Sequence, residues 1–171
     1  MFKKLFGAFC RTKKAGSPLA TVTSLDIERY LGVWYEIARY PNSFEKHCVG
    51  VTATYSVRND GMISVYNHAY LHTLDGREQS ITGKAKIADM STKAKLRVSF
   101  FGPFYADYWI IALGEQYEYA VVSEPSRRYL WILSRTPQME PARYAQILTF
   151  LEGQGFDTGR LAMTLQGMSE M

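Results

Sequence analysis

From Thr21 to Pro137 the chain runs as short apolar–polar segments separated by turn residues, with no interval that reads as a crossover helix. This pattern admits few folds. Parallel strands need a crossover of a dozen or more residues, so strands joined only by turns must run antiparallel, each beside the next. In Val49–Val57, Val51, Ala53, Tyr55 and Val57 alternate with Thr52, Thr54 and Ser56, the period of a half-buried strand. Asn59-Asp60-Gly61 is a strong hairpin turn. The same logic predicts strands over Trp34–Tyr40, Ile63–Leu71, Gln79–Ala88, Leu96–Phe100, Tyr108–Leu113, Tyr119–Ser123 and Tyr129–Ser134. The expected fold is therefore all-β, an eight-stranded antiparallel up-and-down barrel. Eight strands enclose an interior wide enough for one small ligand, and closure removes the exposed sheet edges.

The period changes after Pro137. Tyr144, Ile147, Leu148 and Leu151 fall at helical spacing, behind Pro141 and ahead of Gly153 and Gly155. One lateral α-helix packed outside the barrel is expected, then a short trailing strand within Leu161–Gln166. A short turn of helix within Leu25–Tyr30 would close the base. This arrangement assigns residues 21–171 to one barrel domain and residues 1–20 to a basic, apolar N-terminal tail.

Composition narrows the function. The net charge of +4 comes from the tail, where Lys3, Lys4, Arg11, Lys13 and Lys14 stand without an acid. The body beyond them is nearly neutral, which argues against nucleic acid as a partner. With 47% hydrophobic and 14% aromatic residues the chain can build a core, and no stretch of eighteen apolar residues would span a bilayer as a helix. Cys10 and Cys48 are the two cysteines, and a bridge between them would staple little of the fold.

Gly32-Val33-Trp34 opens the first strand and Ser134-Arg135 closes the last. Gly32 would permit a close approach where a Cβ intrudes. Trp34 is large enough to plug the end of a small barrel, and Arg135 could lie on its indole face, worth roughly 0.5–2 kcal/mol as a cation–π contact. This pairing, with Tyr30-Leu31-Gly32-Val33-Trp34-Tyr35-Glu36-Ile37-Ala38-Arg39, Val98-Ser99-Phe100-Phe101-Gly102-Pro103-Phe104 and Tyr129-Leu130-Trp131-Ile132-Leu133-Ser134-Arg135-Thr136-Pro137, resembles the lipocalin family, in its bacterial, apolipoprotein D-like branch, over about residues 22–166. A second family motif with Thr-Asp-Tyr is weak here, at Gly114-Glu115-Gln116-Tyr117-Glu118-Tyr119.

The resemblance implies carriage or storage of a small apolar molecule, with fatty acids or lysophospholipids at the cell envelope for the bacterial branch. It also implies that Tyr55, Asn67 and Trp131 touch ligand. Strand parity extends the candidate set to Ala53, Tyr55, Val65, Asn67, Phe100, Tyr129, Trp131 and Leu133, with Gly32, Trp34 and Arg135 as structural signature. Asn67 stands out, because an amide on an apolar inward face needs a barrel neighbour, a trapped water or a ligand head group as partner. Burying ten methylenes at roughly 0.8 kcal/mol each offers about 8 kcal/mol before association costs, so micromolar binding needs no specific polar contact. A homodimer is left open.

Three readings of the tail stay open. The apolar core Leu5-Phe6-Gly7-Ala8-Phe9 is shorter than a secretory signal requires. Gly7-Ala8-Phe9-Cys10 puts a bulky Phe where the lipobox of a bacterial lipoprotein needs a small residue, so lipidation of Cys10 is undecided. Phe2, Leu5, Phe6 and Phe9 among basic residues could instead make peripheral membrane contact through residues 1–14, or the stretch could be an unstructured or extraneous start. The resemblance favours the periplasmic side of the outer membrane, and without a complete signal or lipobox a cytoplasmic location is also open.

No cofactor or metal is expected. His68 and His72 stand four apart, about 13 Å along a strand and too far for one ion. His47-Cys48 has no third partner in sequence. The alternatives to a carrier are an isomerase or dehydratase on the same barrel, which needs an inward acid or His, and a tetrapyrrole binder. Parity finds only Glu36 on the inward face of the first strand.

Overall fold

A computed structural model describes residues 17–168. Eight strands follow in chain order: β1 (Gly32–Arg39), β2 (Cys48–Val57), β3 (Ile63–Leu71), β4 (Glu78–Ile87), β5 (Lys95–Phe101), β6 (Phe104–Leu113), β7 (Tyr119–Ser123) and β8 (Leu130–Ser134). Each is antiparallel to the next, and β1 pairs with both β2 and β8, so the sheet closes on itself. The short helix α1 (Ile27–Tyr30) sits under one end, its N-terminus capped by the Asp26 carboxylate. Helix α2 (Pro141–Gly153) lies against the outer wall, and β9 (Ala162–Met163) pairs with the distal half of β1.

The strands begin and end within a residue or two of the expected bounds, except that β6 starts four residues earlier, at Phe104, and the trailing strand pairs over two residues only. The second difference has a cause. Beyond Met163 the segment turns its polar side chains inward to stitch two strands together: Gln166 Nε2 donates to the carbonyls of Glu36 on β1 and Val51 on β2, both at 2.8 Å. Gly50 N–H on β2 donates to Leu165 O at 2.7 Å. The segment therefore fills the slot where β1 and β2 splay apart, supplying partners for backbone groups that their own pairing leaves free.

Two cores divide the barrel wall between them. Inside, Trp34, Tyr55, Val65, Leu96, Ile110, Val122 and Leu133 fill the closed half. Outside, Ile37, Ala38, Ile111, Val121 and Ile132 meet Ile147 and Leu151 of α2, together with Leu19 and Phe156. Leu19 is thus part of the packed domain.

A β-bulge makes this division possible on β1. Glu36 pairs with Leu133, but Ala38, not Ile37, pairs with Ile132, so Ile37 and Ala38 both face the helix and the parity resets. Arg39 then pairs with Trp131 and returns to the same side as Glu36.

Candidate functional site

The closed end is fixed by Trp34 and Arg135. Trp34 is fully buried and its indole N–H donates to Tyr30 O at 2.9 Å. The Arg135 guanidinium lies 3.8 Å from the centroid of the indole ring and donates to Val33 O at 2.9 Å, Arg29 O at 2.7 Å and Tyr117 O at 3.3 Å. One cation thereby ties the start of β1, the end of α1 and the β6–β7 turn beneath the plug. Gly32 serves a different purpose from the one its spacing suggests. A Cβ there would stand 3.4 Å from Arg135 Nη1, an ordinary contact, but the backbone has φ +94°, which side-chain-bearing residues rarely adopt.

Above the plug the barrel opens as a cavity of about 870 Å³. All eight candidate residues line it: Ala53 and Tyr55 from β2, Val65 and Asn67 from β3, Phe100 from β5, Trp131 and Leu133 from β8, and Tyr129 just before β8. Tyr129 and Trp131 stack at 5.9 Å with their planes 14° apart, and Phe44, from the loop between β1 and β2, leans on both. Phe44 is 61% exposed, so an aromatic edge stands at the mouth where an entering chain would first meet protein. Gly83 makes room for Phe100 in the wall, since a Cβ there would come within 2.6 Å of its ring.

Polar groups interrupt this apolar lining. Toward the closed end, Tyr108 bonds through its hydroxyl to those of Tyr30 at 2.8 Å and Tyr55 at 2.7 Å. Burial pushes the Tyr55 hydroxyl up to about 12, and pushes Tyr30 and Tyr108 well above the ordinary tyrosine range, so all three keep their protons. Higher on the wall, Asn67 Oδ1 is buried and has no hydrogen-bond partner among the described residues. Among the described residues no barrel neighbour serves this oxygen.

Toward the mouth, the bulge places Arg39 beside Glu36. Arg39 Nη1 donates to Glu36 Oε1 at 2.5 Å and to Thr164 Oγ1 at 3.1 Å, while Nη2 donates to Glu45 O at 2.8 Å. The Thr164 hydroxyl also donates to Glu36 Oε1. The Glu45 carboxylate takes the Trp131 indole N–H at 3.0 Å and lies 4.0 Å from Arg39 Nε. Two acids thus share one guanidinium in the cavity wall. Burial, and then the Glu45 charge, push the Glu36 carboxyl up to about 8 against the pull of Arg39. Parity on β1 finds Glu36 but not Arg39, because the bulge is invisible to alternation; Glu45 and Thr164 come from segments to which alternation assigns no face. Tyr30 and Tyr108 carry no local signal for their pairing, which joins α1 to a strand 78 residues on.

Of the histidines, His68 borders the cavity, and His47 and His72 do not. His68 contacts Tyr66, Tyr70 and the exposed Glu78 on the outer face of the sheet. His47 and His72 stack at 4.6 Å on the rim loops. Cys48 is buried in the cavity wall near the rim, its Sγ accepting from Gln79 Nε2. Cys10 and the basic residues of the tail lie outside the described residues.

The chain matches the lipocalin-like domain family over residues 25–166. It is 42% identical to the outer membrane lipoprotein Blc of Escherichia coli, across 92% of this chain and 88% of that protein. It is 36% identical to mouse apolipoprotein D, across 84% and 78% of the two chains. The fold superposes on insecticyanin from the tobacco hornworm with a TM-score of 0.69 at 22% identity, covering 88% of this chain and 84% of the other. The closed barrel, the Trp34–Arg135 plug and these matches agree: the chain belongs to the lipocalin family.

Proposed function

We propose that the protein binds a single-chain lipid, a fatty acid or a lysophospholipid, in its cup and carries or stores it for membrane maintenance at the cell envelope. The observation that supports this most strongly is the cavity itself: about 870 Å³, plugged at one end, lined mainly by apolar and aromatic side chains and open beside Phe44, Tyr129 and Trp131. The acyl chain would supply affinity by leaving water, and the rim would select among head groups. Similarity to the outer membrane lipoprotein Blc supports the envelope as the place of action. Residues 1–14 would add a peripheral membrane contact, and a pairing of two copies is compatible with this role.

The reading is of binding rather than catalysis. The acids nearest Arg39 in the wall are already engaged, Glu36 by Arg39 and Thr164 and Glu45 by the Trp131 indole N–H. The test is titration of delipidated protein with palmitate and with a lysophospholipid, following tryptophan emission. Trp131 lines the cup, whereas Trp34 is sealed in the plug. Saturable quenching that disappears in Trp131→Phe supports the reading, and no response to either lipid, with no displacement of a fluorescent fatty acid, overturns it.

A further inference from the structure

The tyrosine cluster and Asn67 leave complementary hydrogen-bonding capacity on the inner wall. Three hydroxyls carry three protons, and the two bonds through Tyr108 use two of them. One donor is left over. Two of the three hydroxyls belong to Tyr55 and Tyr108, which line the cavity. The leftover acceptor is Asn67 Oδ1. Register places them on the same inner wall: Tyr55 pairs with Val65 and Ala53 with Asn67, so the Asn67 backbone lies one inward step above that of Tyr55, about 7 Å along the strand. A buried acceptor without a partner is destabilising, and a spare donor on the same wall is a second cost of the same kind. Both are relieved by one group that donates and accepts.

We infer that this lipocalin takes a ligand whose neutral O–H group is held inside the cup, donating to Asn67 Oδ1 and accepting from the Tyr55–Tyr108 cluster. The ligand class is thereby narrowed to long-chain alcohols, hydroxylated chains or acids bound in their protonated form. A carboxylate has no proton to give Asn67, and an ether has none either. The inference rests on the carrier reading above and specifies what that cup selects.

The experiment compares dodecanol, dodecyl methyl ether and dodecanoic acid on delipidated protein, by displacement of a fluorescent fatty acid. Dodecanol should bind about five- to tenfold tighter than its ether, the worth of one hydrogen bond to a buried acceptor. Dodecanoic acid should weaken between pH 5 and pH 8 while dodecanol does not, because only the acid loses its proton. In Asn67→Leu the ratio of alcohol to ether affinity should fall to about one. Equal binding of alcohol and ether to the unmodified protein would overturn the inference, since Asn67 would then be served by trapped water. So would acid binding that is unchanged with pH. Failure of all three chains to displace the probe is a different result: it overturns the carrier reading, and this inference with it.

Discussion

Glu36 makes the stability of this barrel depend on pH in an unusual direction. Its carboxyl is pushed up to about 8 in the folded chain, by burial first and by Glu45 second, from an ordinary value of 4.5. Below pH 4.5 the group is protonated in folded and unfolded chains alike and makes no difference. Between 4.5 and 8 the unfolded chain releases the proton and the folded chain keeps it. The folded state then binds more protons, so stability must fall as pH rises through that window. One proton gives at most roughly 1.4 kcal/mol per pH unit, so the loss by pH 8 is a few kcal/mol and no more than about 5. Glu36→Gln removes the titration but keeps a side chain that can still meet Thr164 and Arg39. Urea unfolding at half-unit steps from pH 4.5 to 8.5 is the assay. The gap between variant and parent should move steadily in the variant's favour as pH rises, with the slope confined to this window. A gap that is flat, or that moves toward the parent, would show Glu36 to be ionised throughout beside Arg39 and would refute the reasoning.

Three further outcomes are expected. Arg135→Ala should lower stability by about 2–4 kcal/mol, because three carbonyls and the indole face lose one shared cation, and chemical denaturation reads it directly. Gly32→Ala should cost about 1–2 kcal/mol through the left-handed backbone at φ +94°, with cavity binding unchanged. Trp131→Ala should weaken binding of a fatty acid tenfold or more while lowering the thermal midpoint less than loss of a fully buried core residue would, since the side chain lines the cup and is only partly buried against the inner core; equal binding by variant and parent would remove Trp131 from the site.

Much of the barrel is legible in sequence because alternation is a local signal, repeated eight times. The inward set on β2 and β3 follows from parity alone, since those strands keep their register from Thr52↔His68 to Val57↔Ile63. Parity fails on β1, where the bulge after Glu36 sends Ile37 and Ala38 to the helix together and brings Arg39 back beside Glu36. Nothing in Trp34-Tyr35-Glu36-Ile37-Ala38-Arg39 marks that extra residue, although two apolar side chains in succession on a strand are a hint of it. The polar network has the same origin. Thr164 and Gln166 reach Glu36 across more than a hundred residues of chain, and Tyr30 reaches Tyr108 across 78. Such contacts are set by barrel closure, which no local window contains. Asn67 is the exception, because an amide among Ile63, Val65 and Ala69 is conspicuous without any structure at all.

The measurement that tests the central claim most directly is native mass spectrometry of the protein taken from the organism that makes it, with identification of whatever is released on denaturation. A single-chain fatty acid or lysophospholipid at up to one per barrel is the expected result, and a hydroxylated chain would support the assignment of Asn67 as well. A bound tetrapyrrole would contradict the account, as would a barrel that leaves the cell empty and stays empty when offered lipid.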